Sequence, residues 1–232
     1  MLFRQLLDPE TSTYTYLVAD PIFGEAALID PVLEQVDRDL TLVKELGLTL
    51  THVLETHVHA DHVTGAGLLR ERTGCQVVAS MKGASCVNVH VRHGEQVRVG
   101  GLAFWVLATP GHTDDSLSYL VGDCLFTGDA LLVRGTGRTD FQNGDAGQLY
   151  DSITRVLFLL PDETRVYPAH DYQGRMMTTL GEEKRFNPRL AGKDRAAFIQ
   201  LMSGLHLPPP RNLELAVSAN RACGLPAELS QH

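Results

Sequence analysis

Apolar and β-branched positions run through LFRQLL, TYTYLVAD and EAALID between Leu2 and Asp30, separated by the turn-forming DPETS and DPIFG, which predicts a meander of strands. The period then changes. Leu33, Val36, Leu40, Val43 and Leu46 recur at helical steps, so an amphipathic helix is expected there, stopped by Gly47. Leu48 to Glu55 reads as a buried strand, and HVTGAGLLRERTG after it as a helix closed by Gly74. Strands follow at CQVVAS, EQVRV, LAFWVLAT, LSYLVG and CLFTG, then a helix near Gly147 to Leu160, a strand at RVYPA, and helical patterns beyond Gly181. Two strand-rich halves, each with helices, point to an αβ/βα sandwich of the α/β (α+β) class. No composition break precedes Pro208 to Pro210, where LPPPRN marks a rigid turn. The expectation is therefore one domain over residues 1–232, with a short C-terminal extension from about residue 191.

Composition narrows the function classes. The chain is long enough to bury a full core, and its net charge of -8, with Lys and Arg dispersed, argues against a nucleic-acid footprint and for small-molecule partners. No apolar run reaches membrane-spanning length, and the N-terminus MLFRQLLDPETSTY lacks the character of a signal or transit peptide. Cys75, Cys86, Cys124 and Cys223 are scattered without C-x-x-C pairing, the pattern of reduced thiols, so a cytoplasmic location is expected. Cys75, Cys86 and Cys124 read as buried structural thiols, and Trp105 as a core residue.

The candidate chemistry lies at the junction after the strand ending at Glu55. Thr56-His57-Val58-His59-Ala60-Asp61-His62 crowds three imidazoles and a carboxylate, donors that suit borderline metal ions, into one turn. His112 in TPGHTDDS, Asp129 in FTGDALL and His170 in YPAHDY each follow an apolar strand and sit beside Gly or Pro. A single histidine is more often a hydrogen-bonded core or surface residue, and His52, His90, His93, His206 and His232 keep that reading. Repetition of the strand-then-ligand arrangement favours a metal site built from converging loops.

THVHADH, PGHT, TGDALL and PAHDY, in that order, resemble the signature of the metallo-β-lactamase superfamily across nearly the whole chain. The resemblance implies a four-layer sandwich, two mixed β-sheets flanked by helices. That fold hosts lactamases, thioesterases, ribonucleases, flavodiiron reductases and persulfide dioxygenases, so it does not choose the reaction. The stretch Arg134-Gly-Thr-Gly-Arg-Thr-Asp-Phe-Gln142, with HDYQG from His170, FNPRL from Phe186, and the late LHLPPP and SANRACG, is similar to the ETHE1-type persulfide dioxygenases. Thr136 stands where some members of that family carry cysteine, which speaks against a cysteine-based step there.

The resemblance implies one Fe(II) per chain, held by His57, His112 and Asp129. It also implies oxidation of glutathione persulfide by O2 and water to sulfite and glutathione. His59, Asp61, His62 and His170 would then surround the iron or form a vacant second metal site. Arg138, Tyr172 and Arg175 are candidates for holding the substrate, a guanidinium being suited to a carboxylate. Asp140 and Asp171 are either acceptors fixing Arg138 and His170 or turn caps. A homodimer and a persulfide-supplying enzyme, such as a sulfide-oxidising flavoprotein or rhodanese, are the partners the resemblance implies. The rival reading is a dinuclear hydroxyacylglutathione hydrolase of the glyoxalase II type, in which all the candidate ligands hold two metals. The shortness of the chain beyond NPRL disfavours it.

Overall fold

The computed structural model describes residues 1–205, 207–208 and 213–225. His206, His232 and most of the expected LPPPRN turn lie outside the described residues.

The first half forms β1 (Leu2–Asp8), β2 (Thr13–Asp20), β3 (Glu25–Ile29), α1 (Val36–Glu45), β4 (Thr49–Leu54), α2 (Ala66–Thr73), β5 (Gln76–Ser80) and β6 (Val89–Val91). These strands make one sheet in chain order, antiparallel from β1 to β3 and parallel from β3 to β6. The second half forms β7 (Gln96–Val99), β8 (Leu102–Ala108), β9 (Leu117–Val121), β10 (Cys124–Gly128), α3 (Ala146–Arg155), β11 (Arg165–Pro168), β12 (Thr178–Thr179), α4 (Leu180–Phe186), α5 (Arg195–Ser203) and α6 (Leu213–Arg221). Its sheet runs β12-β11-β10-β9-β8-β7, and only β10 and β11 are parallel neighbours.

Side-chain alternation divides the strands between two interiors. In β2, Tyr14, Tyr16 and Val18 face the second sheet and pack with Phe104, Val106, Tyr119, Phe126 and Tyr167. Leu17 and Ala19, one residue out of phase, pack instead with Val36 and Val43 of α1 and Leu69 of α2. In β10, Phe126 joins the inter-sheet core while Leu125 meets Leu149 and Ile153 of α3 and Phe198 of α5. The result is the expected four layers, helix on sheet on sheet on helix, with both sheets mixed.

Two expectations need correction. Trp105 is 46% exposed: it lies between the inward-facing Phe104 and Val106, so strand periodicity turns it to the outer face of the sheet, beside the terminal strand β7. Cys86 and Cys223 form a disulfide across 137 residues of sequence, because the end of α6 returns to the loop between β5 and β6. Spacing along the chain could not show that return, and the pairing removes the argument for a reducing compartment; Cys75 and Cys124 are free and buried. Among the described residues no helix is long and apolar enough to cross a membrane.

Asp39 on α1 is fully buried. It accepts hydrogen bonds from Arg38, while its Oδ2 has no partner. Burial raises its carboxyl to about 6, against the pull of Arg38. A carboxyl raised in the folded state keeps its proton while the unfolded chain loses one, so stability falls as pH rises from about 3.8 to about 6, by roughly 2–3 kcal/mol. Asp39→Asn should flatten the urea-unfolding midpoint across this window relative to wild type; parallel curves would show that Asp39 titrates normally.

A candidate metal centre at the rim of the sandwich

The two sheets are joined by hydrogen bonds where their loops meet. Tyr14 N donates to Ala169 O (2.7 Å), Leu117 N to Thr56 O (2.7 Å), the Tyr16 hydroxyl to Pro168 O (2.5 Å) and the Tyr119 hydroxyl to Glu55 O (2.9 Å). This rim receives the loops that leave β4, β8, β10 and β11, which carry His57 to His62, His112, Asp129 and His170 respectively. The structure therefore gathers all seven candidate ligands.

Each of three imidazoles is anchored through Nδ1. His57 Nδ1 lies 3.0 Å from Thr56 Oγ1, whose single proton goes to Asp30 Oδ2, so the hydroxyl accepts from the ring. His112 Nδ1 donates to Arg138 O (2.7 Å) and His170 Nδ1 to Ser12 O (3.1 Å). Acceptors at Nδ1 fix the tautomer and leave Nε2 as the donor atom toward the centre, the arrangement metal-binding histidines use. His112 Nε2 is 3.5 Å from Asp129 Oδ2, and His170 Nε2 is 3.3 Å from Asp61 Oδ2 and 3.8 Å from Asp129 Oδ1. Gly128 makes the turn into Asp129 at φ 50°, and a Cβ there would come within 2.5 Å of Thr56 Oγ1, the atom that anchors His57.

His59 turns the other way, toward a buried carboxylate pair. Its Nε2 is 3.1 Å from Asp30 Oδ1 and 3.5 Å from Glu55 Oε2. Burial works against its charged form, but Asp30 and Glu55 outweigh that and hold the imidazole well above the usual histidine range. His57, by contrast, is held well below it, first by burial and then by the neighbouring His59 and His112. Burial also opposes charge on His170, yet Asp129 and Asp61 lift it to about 9. Asp61 is pushed well below the usual carboxylate range because His62 and His170 outweigh its burial.

Ligand atoms of His57, His112 and Asp129 lie within 4.8 Å of one another, as do those of His59, Asp61 and His62. Asp129 Oδ1 and His62 Nε2 are buried with no hydrogen-bond partner. A buried orphan of this kind costs about 1–3 kcal/mol, and a cation bound at either cluster would relieve the orphan that belongs to it. The donor set and the orphaned atoms thus fit a bound metal.

Beside the cluster opens a cleft of about 540 Å³, walled by Arg138, Phe141, Tyr172, Arg189, Leu207 and Pro208 among others. Arg138 grips Asp140 through Nε and Nη2 (2.7 and 2.8 Å), donates to Pro208 O and Leu207 O, and lies over the Phe141 ring. Tyr172 is 74% exposed and stacks parallel to His170. Arg175 is not among the residues lining the cleft, and Asp171 caps its own turn through the amides of Gln173 and Arg175. Asn187 and Arg189 of NPRL bind Gly135 O and Thr136 O. Among the described residues Arg189 has no carboxylate partner. Sequence reasoning passed over it, together with Asp30, Glu55, Thr56 and Asn220, although Asp30 is signalled by its place at the end of a buried strand.

A family model of the metallo-β-lactamase superfamily matches residues 8–85 and 87–170, and the chain belongs to that superfamily. Within it the chain falls among the ETHE1 proteins. It is 46% identical to the mitochondrial persulfide dioxygenase ETHE1 of both Mus musculus and Homo sapiens, over 97% of this chain and 89% of each relative. The crystal structure of ETHE1 from Myxococcus xanthus superposes with a TM-score of 0.96 at 69% identity, covering 97% of this chain and all of that one. A hydroxyacylglutathione hydrolase of Rhodopseudomonas palustris is 38% identical over a smaller share, 68% of this chain and 62% of its own.

Asp30 holds Thr56 through its amide (2.8 Å) and hydroxyl (2.8 Å) as well as pairing with His59. Asp30→Ala should lower metal affinity by about 10–100-fold, the usual effect of losing a residue that orients a ligand. Titration with a divalent metal followed by calorimetry checks this; an unchanged affinity would mean that His57 needs no such anchor.

Proposed function

We propose that the chain is a mononuclear iron(II) persulfide dioxygenase in which His57, His112 and Asp129 hold the iron. The observation that carries this reading is the identity with ETHE1 persulfide dioxygenases along almost the full length of the chain. Two histidines and one carboxylate form a facial set that leaves coordination positions open. Iron, when bound, supplies the redox chemistry that joins a persulfide sulfur to O2. The balanced reaction consumes glutathione persulfide, O2 and water and yields glutathione, sulfite and two protons.

The protein's own residues do the rest. Thr56 and the Arg138 carbonyl orient His57 and His112. The Asp30 and Glu55 carboxylates engage His59 through Nε2 and hold its ring in place. Asp61, His62 and His170 then act as hydrogen-bonding neighbours of the iron site. The cleft suits a tripeptide anion: Arg189 and Arg138 offer positive charge, and Tyr172 and Phe141 offer aromatic faces. Arg175 would act only by swinging toward the opening. In this reading a persulfide-supplying enzyme and a second copy of the chain are the partners.

Asp129→Ala should lose most iron and all oxygen uptake with glutathione persulfide while keeping its fold, whereas His170→Ala should keep most of the iron. Metal analysis of anaerobically prepared protein and an oxygen electrode check both. Two metals per chain with thioester cleavage and no oxygen uptake would establish the hydroxyacylglutathione hydrolase instead.

A further inference from the structure

The loop from Glu55 to Gly65 carries four of the seven candidate ligands without belonging to a helix or strand, so its backbone polar groups need partners from elsewhere. Near its start, Val58 N donates to Asp115 Oδ2 (2.9 Å) and Val58 O accepts from Gln142 Nε2 (2.7 Å). Its later part depends on Asn220, near the end of α6. Asn220 Nδ2 donates to both His59 O and His62 O (2.8 Å each), and Asn220 Oδ1 accepts from Thr64 N (2.8 Å). One amide side chain, 3% exposed, thus satisfies three backbone groups that bracket Asp61 and His62.

The same helix end is seated by independent contacts. Cys223 O accepts from Gly67 N (2.8 Å), and a Cβ on Gly67 would approach that oxygen to 2.5 Å. Gly224 sits at φ 75° against Thr64 O, where any side chain would collide. The Cys86–Cys223 disulfide ties this end to the β5–β6 loop, and Cys86 O accepts from Arg70 of α2 (2.6 Å). The close approach of two glycines, one amide and one disulfide at a single junction is more than a terminal helix needs to cover apolar surface.

We propose that α6 is a clamp on the metal-binding loop, with Asn220 as the positioning residue that sets the loop backbone and the Cys86–Cys223 disulfide as the latch that keeps Asn220 in place. Asparagine suits the position chemically. Aspartate could accept from Thr64 but would turn carboxylate oxygens toward two carbonyls, and alanine leaves all three groups without a partner. The inference rests on the metal-binding part of the function proposed above, not on the identity of the metal or the substrate.

Cobalt(II) is a suitable probe, because its affinity and visible spectrum report ligand geometry without turnover. Asn220→Ala should bind cobalt about 10–100-fold more weakly with an altered spectrum. The Thr64 amide, which donates to Asn220, should exchange at least about tenfold faster in the metal-free protein. Cys86→Ser should move both readouts in the same direction by a smaller factor. Should Asn220→Ala fail to fold, Asn220→Asp carries the test. A lower melting temperature with wild-type cobalt affinity, spectrum and amide exchange in the folded variants would overturn the clamp and leave α6 a structural cover. If the wild type itself binds no cobalt, the metal site is refuted, while exchange of the Thr64 amide still decides whether Asn220 holds the loop.

Discussion

The site is organised around the buried carboxylate of Asp30. It stands at the end of β3 with φ 50°, a left-handed backbone that aspartate tolerates better than most residues. Its backbone is held by Asp30 N to Leu54 O and by Thr15 Oγ1 to Asp30 O. One oxygen receives Thr56 N and faces His59 Nε2; the other receives the Thr56 hydroxyl. Burying an isolated carboxylate costs several kcal/mol, and the donors that converge on Asp30 offset that cost. The same contacts make Thr56 an acceptor for His57 and so determine which nitrogen of His57 faces the candidate metal centre.

The fold explains why this carboxylate can reach the ligands. β3 and β4 are parallel neighbours, so Asp30 and Thr56 emerge side by side at the same end of the sheet. The second sheet contributes His112, Asp129 and His170 to that rim, and hydrogen bonds between the sheets hold the two sets in register. Distortion of either sheet at this end would displace candidate ligands on both. The interface between the sheets, with Tyr14, Tyr16, Phe126 and Tyr167 packed together, therefore serves as the rigid base of the site.

The parts legible in the sequence were those with short-range signals. Strand alternation and helical periodicity gave the layers, and the density of His57 to His62 at a strand-to-helix junction marked the centre. Resemblance then supplied the chemistry. Partners distant in sequence were not legible: Asn220 reaches back 156 to 161 residues to its bonds, and Cys86 pairs with Cys223 across 137. Asparagine and cysteine near the end of the chain look ordinary until the chain is folded. Trp105 was misjudged although its neighbours Phe104 and Val106 carried the alternation that turns it outward.

The cleft shows how the same economy extends to the substrate side. Arg134 is committed to Glu183, itself buried and bound to Thr178 and Asn187, so its charge is spent inside the scaffold. Arg138 spends most of its donors on Asp140 and on the Leu207 and Pro208 carbonyls, which makes it a brace for the cleft wall as much as a contact for an anion. Arg189 differs, because its partners at Thr136 are neutral oxygens. A charge neutralised only by dipoles leaves a positive field in the cleft, whereas one paired with a carboxylate largely cancels at the distance of a ligand. Under the proposed function, attraction of an anionic thiol derivative into the cleft would depend more on Arg189, which is tied to Thr136 in the loop that carries Arg138, than on Arg134 and Arg138.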